Sequence, residues 1–213
     1  MKMLLFICGI ADKIDGGLRK EEKYAEKRGF ILFGSPHQNG ATARLVQAFL
    51  KAFPEETEWT MVEAYHQKIA PCLGCGFCEH KEGCVNSDFD QIDHLLRTCD
   101  YLVVASPVYN LSFPAPLKAI FDRTQRYFSA RFVRGERPPI AKHKKAAMLL
   151  TCGADSRDGA DIIRKQLKMI FTVLNTELAG EVLWKNTDRD KNMEPLMGVL
   201  AETAEKLAIA WDL

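Results

Sequence analysis

From residue 30 onward the sequence alternates short apolar runs with amphipathic helical patterns, and few architectures accept that rhythm. The runs lie at 30–33, 57–64, 101–105, 146–151 and 177–184. Between them apolar residues recur at i, i+3 and i+4: Leu45, Val46, Phe49 and Leu50; Phe89, Ile92, Leu95 and Leu96; Leu117, Ile120 and Phe121; Ile163, Leu167, Ile170 and Leu174. A last helix is expected over about 194–210. Continuously apolar runs joined by helical crossovers read as parallel strands buried on both faces. The pattern predicts an α/β chain with five parallel strands and helices on both sides of the sheet.

The chain has 213 residues, which suits one large domain. It shows no internal repeat, low-complexity tract or dividing linker. The expected organisation is an N-terminal extension of uncertain structure at 1–29, polar and rich in Lys and Glu over its second half, followed by one doubly wound domain at 30–213. Five such strands admit the flavodoxin-like order 2-1-3-4-5, a three-layer arrangement. Ligands then bind where the strand order reverses, beside the C-terminal ends of strands one and three.

Twenty-nine Lys and Arg stand against 28 Asp and Glu, which gives no electrostatic reason to expect nucleic acid or a membrane surface as partner. No apolar run approaches the ~18 residues of a transmembrane helix. The apolar opening ends by Ala11, and the charged Asp12, Lys13 and Asp15 follow directly, so it reads as non-secretory. Seven cysteines, four of them crowded between Cys72 and Cys84, do not suggest a secreted disulfide framework. The expectations are a cytoplasmic protein, a small substrate, and metal or redox chemistry at the crowded cysteines.

The loop after the first strand, Gly34-Ser35-Pro36-His37-Gln38-Asn39-Gly40-Ala41-Thr42, runs into a helix. Backbone N–H groups and the helix dipole at such a point attract an anion. The loop lacks both the Gly-x-x-x-x-Gly-Lys and the Gly-x-Gly-x-x-Gly patterns, which favours a monophosphate over a nucleoside triphosphate or a Rossmann dinucleotide. The alternative is a tight turn in which Ser35 or Thr42 only caps the helix.

After the third strand, Ser106-Pro107-Val108-Tyr109-Asn110-Leu111-Ser112-Phe113-Pro114-Ala115-Pro116 is stiffened by proline and carries two exposed-looking aromatics. Tyr109 and Phe113 either pack against a planar ligand or cover the edge of the core. After the fourth strand come Thr151, Cys152 and Gly153, small residues that either let backbone N–H groups reach a ligand or merely end the strand.

The segments Gly34-Ser35-Pro36, Gly40-Ala41-Thr42 and Ser106-Pro107-Val108-Tyr109-Asn110, followed by Pro116-Leu117-Lys118 and Asp122-Arg123, resemble the NAD(P)H-dependent FMN reductase family, from about Phe30 onward. The resemblance implies that Ser35, His37, Ala41 and Thr42 neighbour the FMN phosphate and that Pro107, Val108, Tyr109 and Asn110 lie along the isoalloxazine. Thr151, Cys152 and Gly153 would approach its pyrimidine edge. Two positions depart from the family: His37 stands where Arg is usual and Ala41 where Asn is usual. Both changes remove phosphate donors, since neutral His is not a permanent cation and Ala offers only its backbone.

The cysteines at 72, 75, 78 and 84 read Cys-x2-Cys-x2-Cys-x5-Cys, with glycines at 74, 76 and 83. Three thiols three residues apart with a fourth close by can surround one iron-sulfur cubane, whereas structural zinc usually separates two pairs by ~12–20 residues. Free thiols or a disulfide remain the alternative. The motif resembles that of iron-sulfur flavoproteins, a branch of the same family, and this implies that Cys72, Cys75, Cys78 and Cys84 hold a [4Fe-4S] cluster near FMN. Cys8, Cys99 and Cys152 lie outside it.

The arginines at 123, 126, 131, 134 and 137 form a basic stretch that reads as a solvated helix end and loop, or as a landing for NAD(P)H phosphates. Asp88 and Asp90 are expected to favour the start of their helix. Two functions fit: an enzyme in which NAD(P)H reduces FMN, with the cofactor carrying the chemistry and no catalytic side chain required, or a non-enzymatic electron carrier that docks to redox proteins. The expected partners are a small-molecule or redox-protein electron acceptor, neither nucleic acid nor membrane, and further copies of the chain in a dimer or tetramer.

Overall fold

The computed structural model describes residues 27–53 and 57–209. Most of the N-terminal extension and the last residue of the expected C-terminal helix lie outside the described residues. The sheet comprises β1 (Arg28–Phe33), β2 (Glu58–Glu63), β3 (Tyr101–Pro107), β4 (Lys144–Thr151) and β5 (Thr176–Trp184). All four pairings are parallel and the order is β2-β1-β3-β4-β5, as the alternation predicts. The helices are α1 (Ala41–Leu50), α2 (Phe77–His80), α3 (Asp90–Thr98), α4 (Ala115–Asp122), α5 (Gln125–Phe132), α6 (Asp158–Val173) and α7 (Met197–Ala208).

Strand periodicity divides the core into two layers. Phe30, Leu32, Leu102, Val104, Met148 and Leu150 point to one face, where Ile92 and Leu96 of α3, Leu117 and Phe121 of α4, and Ile163 and Leu167 of α6 cover them. Ile31, Phe33, Val103 and Leu149 point to the other, against Leu45 and Phe49 of α1 and Leu200 and Leu207 of α7. Each such fully buried side chain contributes roughly 1.5–3 kcal/mol. The central strands are therefore apolar throughout, while the edge strand β2 leaves Met61 48% exposed.

Each strand's bounds differ from the sequence reading by one or two residues, and three differences have a structural cause. β1 starts at Arg28, because Arg28 and Gly29 pair with Glu58 and Trp59, a backbone contact that apolarity cannot register. The C-terminal helix begins with a 3-10 turn over Glu194–Leu196, where Pro195 sits in the first turn, and is α-helical only from Met197. The basic stretch is solvated only in part: Arg126 and Arg131 lie in α5, Arg123 and Arg126 are buried at 3% and 7% exposure, and Arg134 and Arg137 follow the helix in a loop where Arg137 is exposed.

Register sets the level of the site. Phe33 pairs with Ala105, and β3 then continues two residues until Pro107 pairs with Thr151. The loops after β1, β3 and β4 consequently leave one end of the sheet side by side.

Candidate functional site

The loop after β1 is fixed by its own polar atoms. Gly34 N–H donates to Ala105 O at 2.8 Å, and His37 N–H donates to Ser35 Oγ at 3.1 Å. Gly40 precedes α1 in extended conformation, and no side chain caps the helix. The capping role considered for Ser35 or Thr42 is therefore not filled, and the first N–H groups of α1 keep their capacity for an anion. Ser35 and Thr42 are buried, Ala41 is half-buried and His37 is exposed. The Thr42 hydroxyl instead shares a 2.8 Å hydrogen bond with the Thr151 hydroxyl.

An open groove over this loop is lined by Pro36, His37, Gln38, Asn39, Gly40 and His66. His66, which the sequence did not single out, pairs with Glu63 at 3.2 Å, and Gln38 Nε2 donates to the same carboxylate at 3.0 Å. A lone histidine three residues past an edge strand carries no spacing signal.

The loop after β3 turns back tightly. Tyr109 and Ser112 exchange both backbone hydrogen bonds at 2.9 Å, and Asn110 and Leu111 take the left-handed conformation at φ 50° and 62° that a two-residue I′ turn requires. Tyr109 is 41% exposed beside the switch point, but Phe113 is not available to a ligand: it is buried against Phe121 with ring centroids 4.8 Å apart. Gly159 of α6 lets the helix meet this loop, since a Cβ there would lie 2.3 Å from Val108 Cγ1. Tyr65 also belongs to the neighbourhood. Burial raises its phenol above the ordinary value, and the nearby Tyr109 adds to the effect.

At the end of β4, Val108 N–H donates to Thr151 O at 2.8 Å, which ties the second and third loops together. Cys152 N–H is already committed to Trp184 O at 2.8 Å, so it is not a donor toward a bound ring. Gly153 packs under Asp188, whose Oδ2 would lie 2.4 Å from a Cβ at that position.

The four clustered cysteines line a single cavity of about 220 Å3. Cys72 and Cys75 are exposed, Cys78 and Cys84 half-buried, and none is in a disulfide. Gly74, Gly76 and Gly83 all have positive φ, 62°, 72° and 98°, which turns the loop around the cavity. The opposite wall is the unforeseen helix α5 and its approach: Arg123, Gln125, Arg126 and Ser129. Cys78 Sγ donates to Ser129 Oγ at 3.4 Å.

Arginines pin the loop. Arg123 donates from Nη1 to Ala70 O at 3.0 Å and Asp88 Oδ1 at 2.6 Å, and from Nη2 to Asn86 O at 2.8 Å. Arg134 donates to Cys78 O and Lys81 O, and Arg97 Nη2 to Glu82 Oε1 at 3.1 Å. Asp88 stands in the 3-10 turn that leads into α3 and Asp90 in the first turn of α3, where the sequence suggested them; Asp88 also closes the loop by accepting Ala70 N–H at 2.7 Å. Burial alone would raise its carboxyl, but the Ala70 and Arg123 bonds hold it below the ordinary value.

Among the described residues no three His, Cys, Asp or Glu side chains converge on one point as ligands of a single ion would. A cubane asks for something else: one thiolate on each of four irons, spread around a cage. Four sulfurs around a cavity, with a buried cation on its wall whose Nη1 has no acceptor, suit an anionic thiolate-ligated group.

A parallel 2-1-3-4-5 sheet with its loops gathered at the β1/β3 switch point defines the flavodoxin-like class of α/β proteins. Within it, the chain belongs to the NADPH-dependent FMN reductase family, which matches residues 28–187, and is an oxidoreductase of that family. It is 28% identical to the iron-sulfur flavoprotein of Methanosarcina thermophila over 191 residues, 84% of this chain and 93% of that protein. It is 31% identical over 148 residues to an iron-sulfur flavoprotein of Archaeoglobus fulgidus, covering 67% and 69% of the two chains. In fold it is similar to the NAD(P)H:quinone oxidoreductase from Methanothermobacter marburgensis, with a TM-score of 0.69 at 16% identity over 89% of this chain and 100% of that one. No helix among the described residues is long and apolar enough to cross a membrane.

Proposed function

We propose that this chain binds FMN at the β1/β3 switch point, accepts reducing equivalents there from NAD(P)H, and passes electrons to an acceptor through a [4Fe-4S] cluster held by Cys72, Cys75, Cys78 and Cys84. The observation that carries the finer reading is that all four cysteines of the spaced motif line one cavity. Names of the similar archaeal proteins support it.

The flavin supplies the hydride and electron chemistry when bound. The protein's part is placement. The uncapped start of α1 offers backbone N–H groups to the phosphate, with Ser35 holding the turn and His37 at its rim. Pro107, Val108, Tyr109 and Asn110 form a stiff platform for the ring, bound to β4 through the Val108–Thr151 hydrogen bond. The loop of Cys72 to Cys84 follows β2, which pairs with β1 on the same side of the switch point, so the two redox sites occupy neighbouring loops.

Protein prepared without oxygen tests the reading. Its absorption spectrum should show flavin that NADH or NADPH bleaches, and iron analysis should find about four irons per chain if the site is a filled [4Fe-4S] centre. Cys78→Ser should lower the iron content, and Cys99→Ser should not. Iron-free protein after anaerobic reconstitution would remove the cluster and leave the flavin enzyme.

A further inference from the structure

Arg126 is 7% exposed and lines the four-cysteine cavity from α5. A buried guanidinium costs several kcal/mol unless a counter-charge or acceptor meets it. Its nearest carboxylates stand off, with Asp90 Oδ1 3.8 Å from Nη1 and Asp93 Oδ2 3.6 Å from Nη2. Both distances exceed hydrogen-bond length. Asp93 is also committed elsewhere, because its Oδ1 accepts from Arg97 Nε at 3.0 Å and from the Tyr127 hydroxyl. Nη1 of Arg126 is buried with no hydrogen-bond acceptor.

The surroundings offset the charge of this guanidinium at ion-pair distance through Asp90 and Asp93 but leave its Nη1 without a hydrogen bond. Its Cζ lies 5.9 Å from the Phe89 ring centroid and 5.8 Å from that of Tyr127, where ring faces attract positive charge but carry none of the opposite sign. A Cβ on Gly83 would lie 3.6 Å from Nη2, so the guanidinium stands against the backbone that presents Cys84. Arg123 on the same wall contrasts with it, since both its terminal nitrogens are spent on Ala70, Asn86 and Asp88. The cavity therefore combines four potential thiolates with one buried cation that has a hydrogen-bond donor to spare.

We propose that Arg126 is a cluster-tuning residue: its guanidinium donates a hydrogen bond to a sulfur of the thiolate-ligated cluster and counters the cluster's negative charge. The proposal rests on reading the cysteine cavity as the cluster site. Reduction adds an electron to an already anionic group, so a fixed cation in a low-dielectric wall favours the reduced form. Hydrogen bonds to cluster sulfur and local charge are among the levers that set such potentials. Arg126 thereby raises the reduction potential and helps to retain the cluster.

The test compares the full chain with R126Q and R126K after anaerobic reconstitution, measuring iron and FMN per chain and titrating the cluster by EPR. R126Q should keep FMN and either lose iron or hold a cluster whose oxidised-to-reduced ratio at the wild-type midpoint rises about tenfold, which is about 59 mV downward for one electron. R126K, which keeps the charge, should recover most of the shift. Wild-type chain without iron would overturn the cluster reading and this inference with it. Four irons in both wild type and R126Q at an unchanged potential would overturn this inference alone. Should R126Q not fold, wild-type protein labelled with 15N in its arginine guanidinium groups decides: pulsed EPR of the reduced cluster should show a 15N coupling, and its absence overturns the assignment.

Discussion

Thr42, in the first turn of α1, and Thr151, the last residue of β4, share a hydroxyl–hydroxyl hydrogen bond of 2.8 Å across 109 residues of sequence. Both are buried, at 2% and 3% exposure, so each is the other's means of satisfying a polar group out of water. The bond ties the start of the phosphate-suited helix to the strand end that also receives Val108. Thr42 thus acts on the site by fixing where α1 begins.

Thr42→Val should therefore destabilise the flavin-free protein by ~1–3 kcal/mol, because it leaves the Thr151 hydroxyl buried and alone. The double variant with Thr151→Val removes both partners, and its loss should fall short of the sum of the single losses. Urea unfolding of the four proteins measures this. Strictly additive losses would mean that the two hydroxyls are not coupled.

The fold was legible because the central strands are buried on both faces: Phe30, Ile31, Leu32 and Phe33 are consecutive core residues, and no polar side chain interrupts them. The spacing of Ile163 and Leu167, or of Ile92 and Leu96, likewise states which helix face is inward. The position of the candidate loops was legible only where a loop follows such a strand, as at Ser35 to Thr42 and Pro107 to Asn110, which the sheet order brings to the switch point. Arg123 and Arg126 were not, because what buries an arginine is a set of partners far away in sequence: Asp88 is 35 residues from Arg123, and Ala70 is 53. Composition sees charge there and expects solvent. For Phe113 the sequence left two roles open, and its burial against Phe121 decides for covering the core edge, a choice a proline-rich loop cannot make by itself.

If the start of α1 receives the FMN phosphate, negative charge placed beside it should act oppositely on stability and on binding. Asn39→Asp is nearly isosteric and exposed, and it lies on the groove. A carboxylate there should leave the flavin-free protein as stable as before or up to ~1 kcal/mol more so, through the helix dipole. FMN should bind about tenfold more weakly, a difference of ~1.4 kcal/mol. Thermal unfolding and fluorescence titration report the two quantities separately. An unchanged FMN affinity would place the phosphate elsewhere.

Lys144, 1% exposed at the start of β4, gives a pH prediction. Its Nζ donates to Leu174 O at 2.8 Å and Lys142 O at 3.3 Å, yet burial pulls its pKa down to about 8. The unfolded chain, with a lysine near 10.4, binds more protons than the folded one above that point, so stability rises with pH from about 8. Burial pushes the Cys99 thiol up to about 11, which works the other way: stability falls with pH once the unfolded thiol ionises near 8.5–9. Between pH 8 and about 9 the lysine outweighs the thiol, and unfolding free energy should rise by about half a kcal/mol, the lysine's ~1 kcal/mol being partly offset by Cys99. Lys144→Met should abolish that rise whatever it does to stability at pH 7. A wild-type profile that is flat or falling through this window would contradict the assignment.

Arg123 separates the holding of the cysteine loop from the charge of its cavity. It is 3% exposed and paired with Asp88, whose side chain is 26% exposed, and its other two bonds go to the carbonyls of Ala70 and Asn86 on either side of the loop. Arg123→Met keeps the bulk and removes all three bonds, stranding a half-sheltered carboxylate and two carbonyls. Removing one partner of a buried pair typically costs ~3–5 kcal/mol, and the access of Asp88 to water puts the expected loss near ~3 kcal/mol. The damage should be local in a way that hydrogen exchange can read: amides around 70–88 lose protection first, while those of β1, β3 and β4 exchange only with global unfolding. Arg123→Lys restores a charge for Asp88 but lacks the planar fork needed to span three acceptors, so it should recover only part of the stability. Uniform loss of protection across loop and sheet would instead show that Arg123 supports the core as a whole, and the loop would then owe its shape to Arg97, Arg134 and its glycines.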